Sequence, residues 1–544
     1  MLEGGIGNHT GWGWRLQTTA KRTGDFHTPT YNLTNTGIKE LNFSAATGYH
    51  KENKGFDFFL SHFQTEIGIL RGTSTENVDD LVTAMESSTP QYTEGFSYRI
   101  REPRQQAVHN LMKVNGHVRT THGEWRLQYG FQNDHRREFD IRIGDLSKIP
   151  AIDLQLNTHT LDAEWETLHS DKRTFSFGMN NMYQDNSNIY GTKRIPFIPN
   201  FNSLSSGLFA VSKFNFSQWS VNIGARYDYR YYAVSGRDSN NRLYHATYSF
   251  HNPSATAGAT ARIRSNQTLA LNLSAAWRPP HVSELYSFGK HLSAGANEYG
   301  LLLNSSTSEV MQMGDAKVKA EQALKFTGTY RWEFKNLQIE ASPYANYILN
   351  YIYLRPERLT VTTRGPAPSL RYTQTDALFL GADLMASLHL KKYFSVTPKV
   401  TLLRASDERS HDYLIFIPSN RYEVIVRYEK PSLNAFRNFY AESKTLYVSK
   451  QTRAPRVISG RELVSGVDPF INDKTTFDFV APPNAYWLWN LAVGFSLKKE
   501  KVQYDFRIAS ENTLNQSYRE YTNRFRYYAD DLGRNIIFSI KCIF

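Results

Sequence analysis

Period-two alternation of apolar and polar residues runs through this chain, and it constrains the fold more than any other feature. The last nine residues show it most cleanly. Phe544, Cys542, Ile540, Phe538 and Ile536 are apolar and share one face, with Ile543, Lys541, Ser539 and Ile537 on the other. That period belongs to a strand with one greasy face. The final strand of a soluble sandwich could carry such a pattern, but an open, fully apolar edge invites aggregation. A closed membrane barrel uses its last strand to seal the ring, with an aromatic end at the lipid interface.

The same alternation recurs upstream. Trp125, Leu127, Tyr129 and Phe131 alternate with polar or small neighbours, as do Val221, Ile223, Ala225, Tyr227 and Tyr229. Leu269, Leu271, Leu273, Ala275 and Trp277 form a third such face, and Trp487, Trp489, Leu491, Val493, Phe495 and Leu497 a fourth. Val502, Tyr504, Phe506 and Ile508 form a fifth. The runs have the length that a tilted strand needs to cross a bilayer, about 9–11 residues or a little more. About twenty strands are expected.

The connections choose among all-β architectures. Short turns are expected near 50–55, 121–123, 169–172, 215–219, 263–268, 333–337, 390–393, 430–434 and 498–502. Long loops are expected near 23–37, 67–105, 138–151, 185–203, 231–249, 279–319, 354–371, 405–420, 450–485 and 514–532. Short and long alternate without a break, as in an up-and-down outer-membrane barrel with short periplasmic turns and long outer loops. A propeller would carry a blade repeat of about 40–50 residues, and none is found. The fold expected is all-β: a large antiparallel up-and-down transmembrane barrel. Its last strand then ends on the periplasmic side.

Composition agrees where it speaks. Of 544 residues, 33 are Tyr, 33 Phe and 9 Trp, an abundance that suits strands and interfaces. No apolar run approaches about 18 residues, which excludes a spanning helix but not a barrel. One cysteine excludes a disulfide framework within the chain and any Cys-based zinc site. Cys542 falls on the apolar face of the last strand and reads as a small hydrophobe. The net charge of +12 is dispersed, with no basic run of five, so no nucleic-acid partner is expected. No basic-then-apolar leader opens the chain at Met1–Gly5.

Several segments together resemble the TonB-dependent outer-membrane receptors, especially the type common in Bacteroidota. Asn512-Thr513-Leu514-Asn515-Gln516-Ser517-Tyr518 is similar to the family's N-x-L-N-x-x-Y exit from the penultimate strand. Asn523 to Asp530, followed by Gly533-Arg534-Asn535, looks like its approach to the closing strand. Arg278-Pro279-Pro280-His281-Val282-Ser283-Glu284-Leu285-Tyr286 resembles its R-x-P-x-x-x-E-L-Y signature. The Asn-Pro part of a following family stretch is absent, while Lys319-Ala320-Glu321 remains. Thr28-Pro29-Thr30-Tyr31, Asn35-Thr36-Gly37, Tyr372 to Ala377 and Gly381 are further resemblances.

The resemblance implies a barrel of 22 strands fronted by a signal peptide, a TonB-contacting segment and a plug. None of these precedes Gly11, so residues 1–544 are expected to be the barrel domain alone, short of its plug and first strands. It also implies active, TonB-coupled uptake of a scarce ligand, an iron complex such as a siderophore or haem. A passive pore or an adhesin barrel is the alternative. The partners implied are outer-membrane lipid, a small-molecule ligand, the barrel-assembly machinery, and TonB through a plug.

Candidate residues follow from chemistry and resemblance together. The chain has no G-x-S-x-G elbow, no H-E-x-x-H and no phosphate loop. Neither an enzyme nor a cofactor is therefore expected. Carboxylates and cations on the lumen face, such as Arg226 with Asp228 and Asp505 with Arg507, read as structural ion pairs. The loop 279–319 groups His281, Glu284, Tyr286, His291 and Glu298 near Arg278, donor types that suit ferric or haem iron. The same residues equally suit a solvated outer loop. Tyr486, Trp487, Trp489, Tyr527 and Tyr528, like Trp12 and Trp14, read as interfacial aromatics. Phe538, Ile540, Cys542 and Phe544 form the expected assembly signal.

Overall fold

The computed structural model describes residues 2–6, 10–167, 172–362, 365–470 and 476–544. It contains one sheet of 24 strands. Three of these, Phe288–His291, Ala296–Tyr299 and Asp412–Tyr413, are short and belong to outer connections. The other twenty-one form an antiparallel meander from Leu2–Ile6 to Asn535–Ile543. Leu2–Ile6 is one strand more than alternation reveals, because its Gly4-Gly5 centre carries no hydrophobic pattern. It pairs with Gly11–Thr23, Leu2 opposite Leu16 and Ile6 opposite Trp12.

The side chains sort as the pattern predicts. Leu271, Leu273, Ile223, Val493 and Ile508 are exposed on the outside of the sheet. So many large apolar groups facing outward require lipid rather than water. On the last strand Ile536, Phe538 and Ile540 are exposed, as are Cys542 and the terminal Phe544. Aromatic pairs gather near the short turns, with Trp12 against Tyr49 and Phe56, and Trp125 against Phe177. Phe436 packs at a tilt against Phe495 at the same level. Eight residues from Trp219 to Tyr227 rise about 27 Å along the strand, or about 20 Å along the normal at a tilt near 40°. At that height Tyr227 bonds His251 at 2.7 Å and Tyr129 bonds His159 at 2.8 Å, forming a second girdle.

The opposite face is polar and paired. Arg226 meets Asp228 at 2.6 Å, and Glu423 sits between Lys399 at 3.1 Å and Lys444 at 2.6 Å. The expected Asp505–Arg507 pair is absent among the described residues, and Asp505 instead accepts from Gln503 at 2.7 Å.

Each expected short turn joins paired strands, except that the one at 169–172 falls largely outside the described residues. Two of the expected long loops are corrected. Strands Trp219–Arg237 and Leu243–Arg264 run on until only 238–242 separates them. Leu337–Thr362 and Gly365–Lys391 pair up to Thr362 opposite Gly365. At about 3.3 Å per residue a 26-residue strand spans roughly 85 Å, far more than a bilayer needs. Beyond the membrane both faces meet water or other loops, so alternation lapses while the hydrogen-bonded ladder continues. The bulge between Ile348 and Tyr351, with Asn350 at φ 56°, lies where that strand changes character.

The two ends of the meander meet at the outer rim. Gly533 N donates to His27 O at 2.8 Å, and Asp530 N donates to the Tyr31 hydroxyl at 2.7 Å. The first and last long loops thus touch, as they must when a sheet curls into a barrel. A side chain at Gly533 would place its Cβ 2.8 Å from the backbone of Thr28 and Pro29, so this approach requires glycine.

Candidate functional site: the outer mouth of the barrel

The outer loops pack on one another. Leu33, Leu70, Leu81, Met85, Ile458, Phe477, Phe479, Tyr527 and Tyr528 form one buried cluster drawn from loops far apart in sequence. Helix α1 (Val78–Glu86) contributes Leu81, Ala84 and Met85, and begins on Asn77, whose side chain accepts from Asp80 N. At the centre lies a buried ion pair between Arg526 and Asp478. Tyr527 donates to the same carboxylate at 2.7 Å, and Arg526 Nε donates to Tyr521 O at 3.1 Å. Tyr528 donates to Gly295 O at 2.7 Å.

This corrects the expectation that Tyr527 and Tyr528 belong to the interfacial girdle. They are 2% and 1% exposed, and burial pushes both phenols up in pKa. An aromatic-rich segment before a closing strand suits either environment, and loop packing decides. Tyr486 is buried too, with its hydroxyl on Glu520. Trp487 remains outside and exposed against Tyr447, while Trp489 is half-buried and donates to Ser443 at 2.9 Å.

The R-x-P-x-x-x-E-L-Y segment folds into a brace. Helix α2 (Val282–Tyr286) is capped by His281, whose Nδ1 accepts from Ser283 N at 3.2 Å, and Glu284 accepts from His281 N at 2.7 Å. Arg278 joins strand to helix, donating to Glu321 at 2.7 Å and Glu284 at 2.7 Å. Val282, Leu285 and Tyr286 are buried against Phe201, Tyr232 and Leu302. Tyr286 stacks on Tyr244 and bonds Tyr248 at 2.5 Å, and burial raises its pKa. Arg278, Glu284 and Tyr286 are thus held by protein partners. His281 is partly open to solvent, yet the protein around its ring, Phe201 included, limits hydration and holds its pKa below the ordinary value.

His291 and Glu298 lie elsewhere, on the paired strands Phe288–His291 and Ala296–Tyr299. His291 Nε2 is 3.0 Å from Ser293 Oγ and 3.4 Å from Arg136, and Nδ1 is 3.2 Å from Glu298. That last contact is an ion-pair distance without hydrogen-bond geometry. Glu298 also accepts from Arg524 at 2.8 Å. Burial works against its charge, but His291 and Arg524 outweigh this and hold its carboxyl below the usual range. No group of three or more His, Cys, Asp or Glu side chains suited to a metal occurs among the described residues.

A cavity of about 1080 Å³ opens at the mouth. Its walls come from the loop at 301–318, the extended hairpin between Asn350 and Gln374, and a loop carrying helix α3 (Gly460–Val464), Pro469 and Phe470. Arg355, Arg358 and Arg371 belong to the expected loop 354–371, and their density there was the available signal for this site. None of the six residues singled out in 278–298 lines it.

A family model described as "TonB dependent receptor-like, beta-barrel" matches residues 4–515. The chain belongs to the TonB-dependent receptor β-barrel family. Among solved structures, the copper transporter OprC aligns with a TM-score of 0.71 at 15% identity, covering 98% of this chain and 76% of that one. The siderophore receptor PirA from Acinetobacter baumannii gives 0.68 at 13% identity, with 97% and 75% covered. The ferric yersiniabactin uptake receptor FyuA from Yersinia pestis gives 0.67 at 11%, with 100% and 77% covered. At these identities the likeness is one of fold. No curated protein matches the chain. Among the described residues of this TonB-dependent receptor no helix is long and apolar enough to cross a membrane.

Proposed function

We propose that this protein takes up a scarce ligand, an iron complex, across the outer membrane by TonB-coupled transport. The observation that carries this reading is the open mouth cavity of about 1080 Å³, walled by loops of several hairpins. Its size exceeds a bare ion's needs and suits a chelate or another organic ligand of several hundred daltons. Structures sharing the fold include receptors for ferric yersiniabactin and ferric preacinetobactin, which supports the choice of iron. The buried loop core across the mouth favours a gated receptor over a passive pore. In this reading the barrel supplies wall and loops, and TonB acts through a plug. The test is growth under iron starvation with single iron sources. A strain lacking the gene should fail on at least one chelate and recover when the complete gene is restored. Equal growth of both strains on every iron source would refute the proposal.

A further inference from the structure

The mouth cavity is walled by an excess of positive charge. Lys317, Arg355, Arg358, Arg371 and Arg409 line it against the single carboxylate of Glu357. Two of these cations are already engaged. Arg371 donates to Glu357 at 2.8 Å and to Leu303 O at 2.7 Å, and Arg409 pairs with Asp376 at 2.8 Å. Arg358 donates to Ser305 O at 2.8 Å and comes no nearer than 4.0 Å to Glu357, whose other oxygen Arg371 holds. Among the described residues no carboxylate pairs with Arg355 or Lys317.

Arg355 is the most telling of them. Its guanidinium lies over the Phe470 ring at 4.9 Å, which fixes its plane, and its buried Nε has no hydrogen-bond partner. Burial pulls its pKa below the ordinary arginine value. A buried donor without an acceptor is costly to hold, and an anion entering the cavity would meet it. Among the described residues no histidine or cysteine lines the space, Glu357 is held by Arg371, and burial keeps the Tyr372 phenol protonated, so a metal carried in would keep its own chelator rather than exchange it for protein ligands.

We propose that this cavity is a binding site for a multiply anionic small molecule, held through Arg355 and Arg358 by charge-assisted hydrogen bonds. On the uptake reading above, on which this identification of the ligand rests, that molecule is an anionic iron(III) chelate rather than a neutral or cationic one.

The test uses protein purified from outer membranes and three probes: iron(III) tris(catecholate), a trianion; iron(III) tris(acetohydroxamate), which is neutral; and metal-free pyrophosphate. The trianion should bind at least about tenfold more tightly than the neutral complex. Its affinity should fall as salt rises from about 0.05 to about 0.5 M. Arg355→Gln and Arg358→Gln, each checked for an unchanged heat-modifiable band, should each weaken trianion binding about tenfold and leave the neutral complex unaffected. If either variant fails to fold, the salt dependence and charge preference of the wild type still decide. Equal, salt-insensitive binding of both iron complexes would overturn the anion site and leave the uptake reading intact. Arg355-dependent binding of pyrophosphate with neither iron complex bound would do the reverse.

Discussion

Removing the Asp478 carboxylate would strand a guanidinium whose side chain is 1% exposed. Breaking a buried pair by one partner costs about 3–5 kcal/mol, because the surviving charge has no water. Asp478→Ala should therefore loosen the loop core while the strands, held by their own ladder, persist. Protease cleavage within 449–485 and 512–534 on intact outer membranes measures this, and faster cleavage is expected. Pairing Asp478→Leu with Arg526→Met should restore much of the protection. His281 gives a second residue-scale prediction. Its Nδ1 caps α2 only while unprotonated, and desolvation lowers its folded pKa. A base whose folded pKa is depressed contributes stability that is full above the unfolded value near 6.5 and is lost as pH falls below it. The protection of the α2 amides, taken as the intrinsic exchange rate at each pH divided by the observed one, should fall from pH 7 toward 5. His281→Asn, a cap that does not titrate, should flatten that dependence. Residue type alone concealed these roles: a Tyr reads the same in a girdle or a loop core, and a His reads the same as ligand or cap.

At the scale of the element, period two told nearly everything inside the membrane and little outside it. There lipid and lumen impose opposite solvents on the two faces, so sequence must alternate. Arg replacing Leu271 should cost about 2–4 kcal/mol near the midplane. Arg replacing Asn272, whose side chain donates to Thr256 at 3.2 Å, should cost much less. Folding into bilayers of graded urea measures the difference, and equal costs would mean the register is wrong. The same contrast at Val493 and Asn490 is less clean, since Asn490 also accepts from Asn512 N at 2.8 Å. Above the bilayer the two-solvent rule lapses. The hairpins Trp219–Arg237 with Leu243–Arg264 and Leu337–Thr362 with Gly365–Lys391 therefore read in part as loops, and the wall that the second gives the cavity was hidden with it. The signature around Arg278 was legible as a motif. Its role as a brace required knowing that Glu321 arrives from the next strand.

At the scale of the whole molecule, twenty-one strands bring the first and last outer loops together. The mouth so formed joins segments about 500 positions apart, such as Tyr31 and Asp530. No local pattern announces such a contact. It follows from strand count and curl, which is why the architecture could be anticipated and the loop core could not. If this mouth admits its ligand by energised transport rather than by leakage, iron uptake must depend on the proton-motive force. The most direct test is radio-iron accumulation from a single chelate by cells expressing the complete receptor, before and after the proton-motive force is dissipated. Saturable uptake that collapses with the proton-motive force is the expected result. Uptake that stays linear with concentration and survives its loss would contradict it.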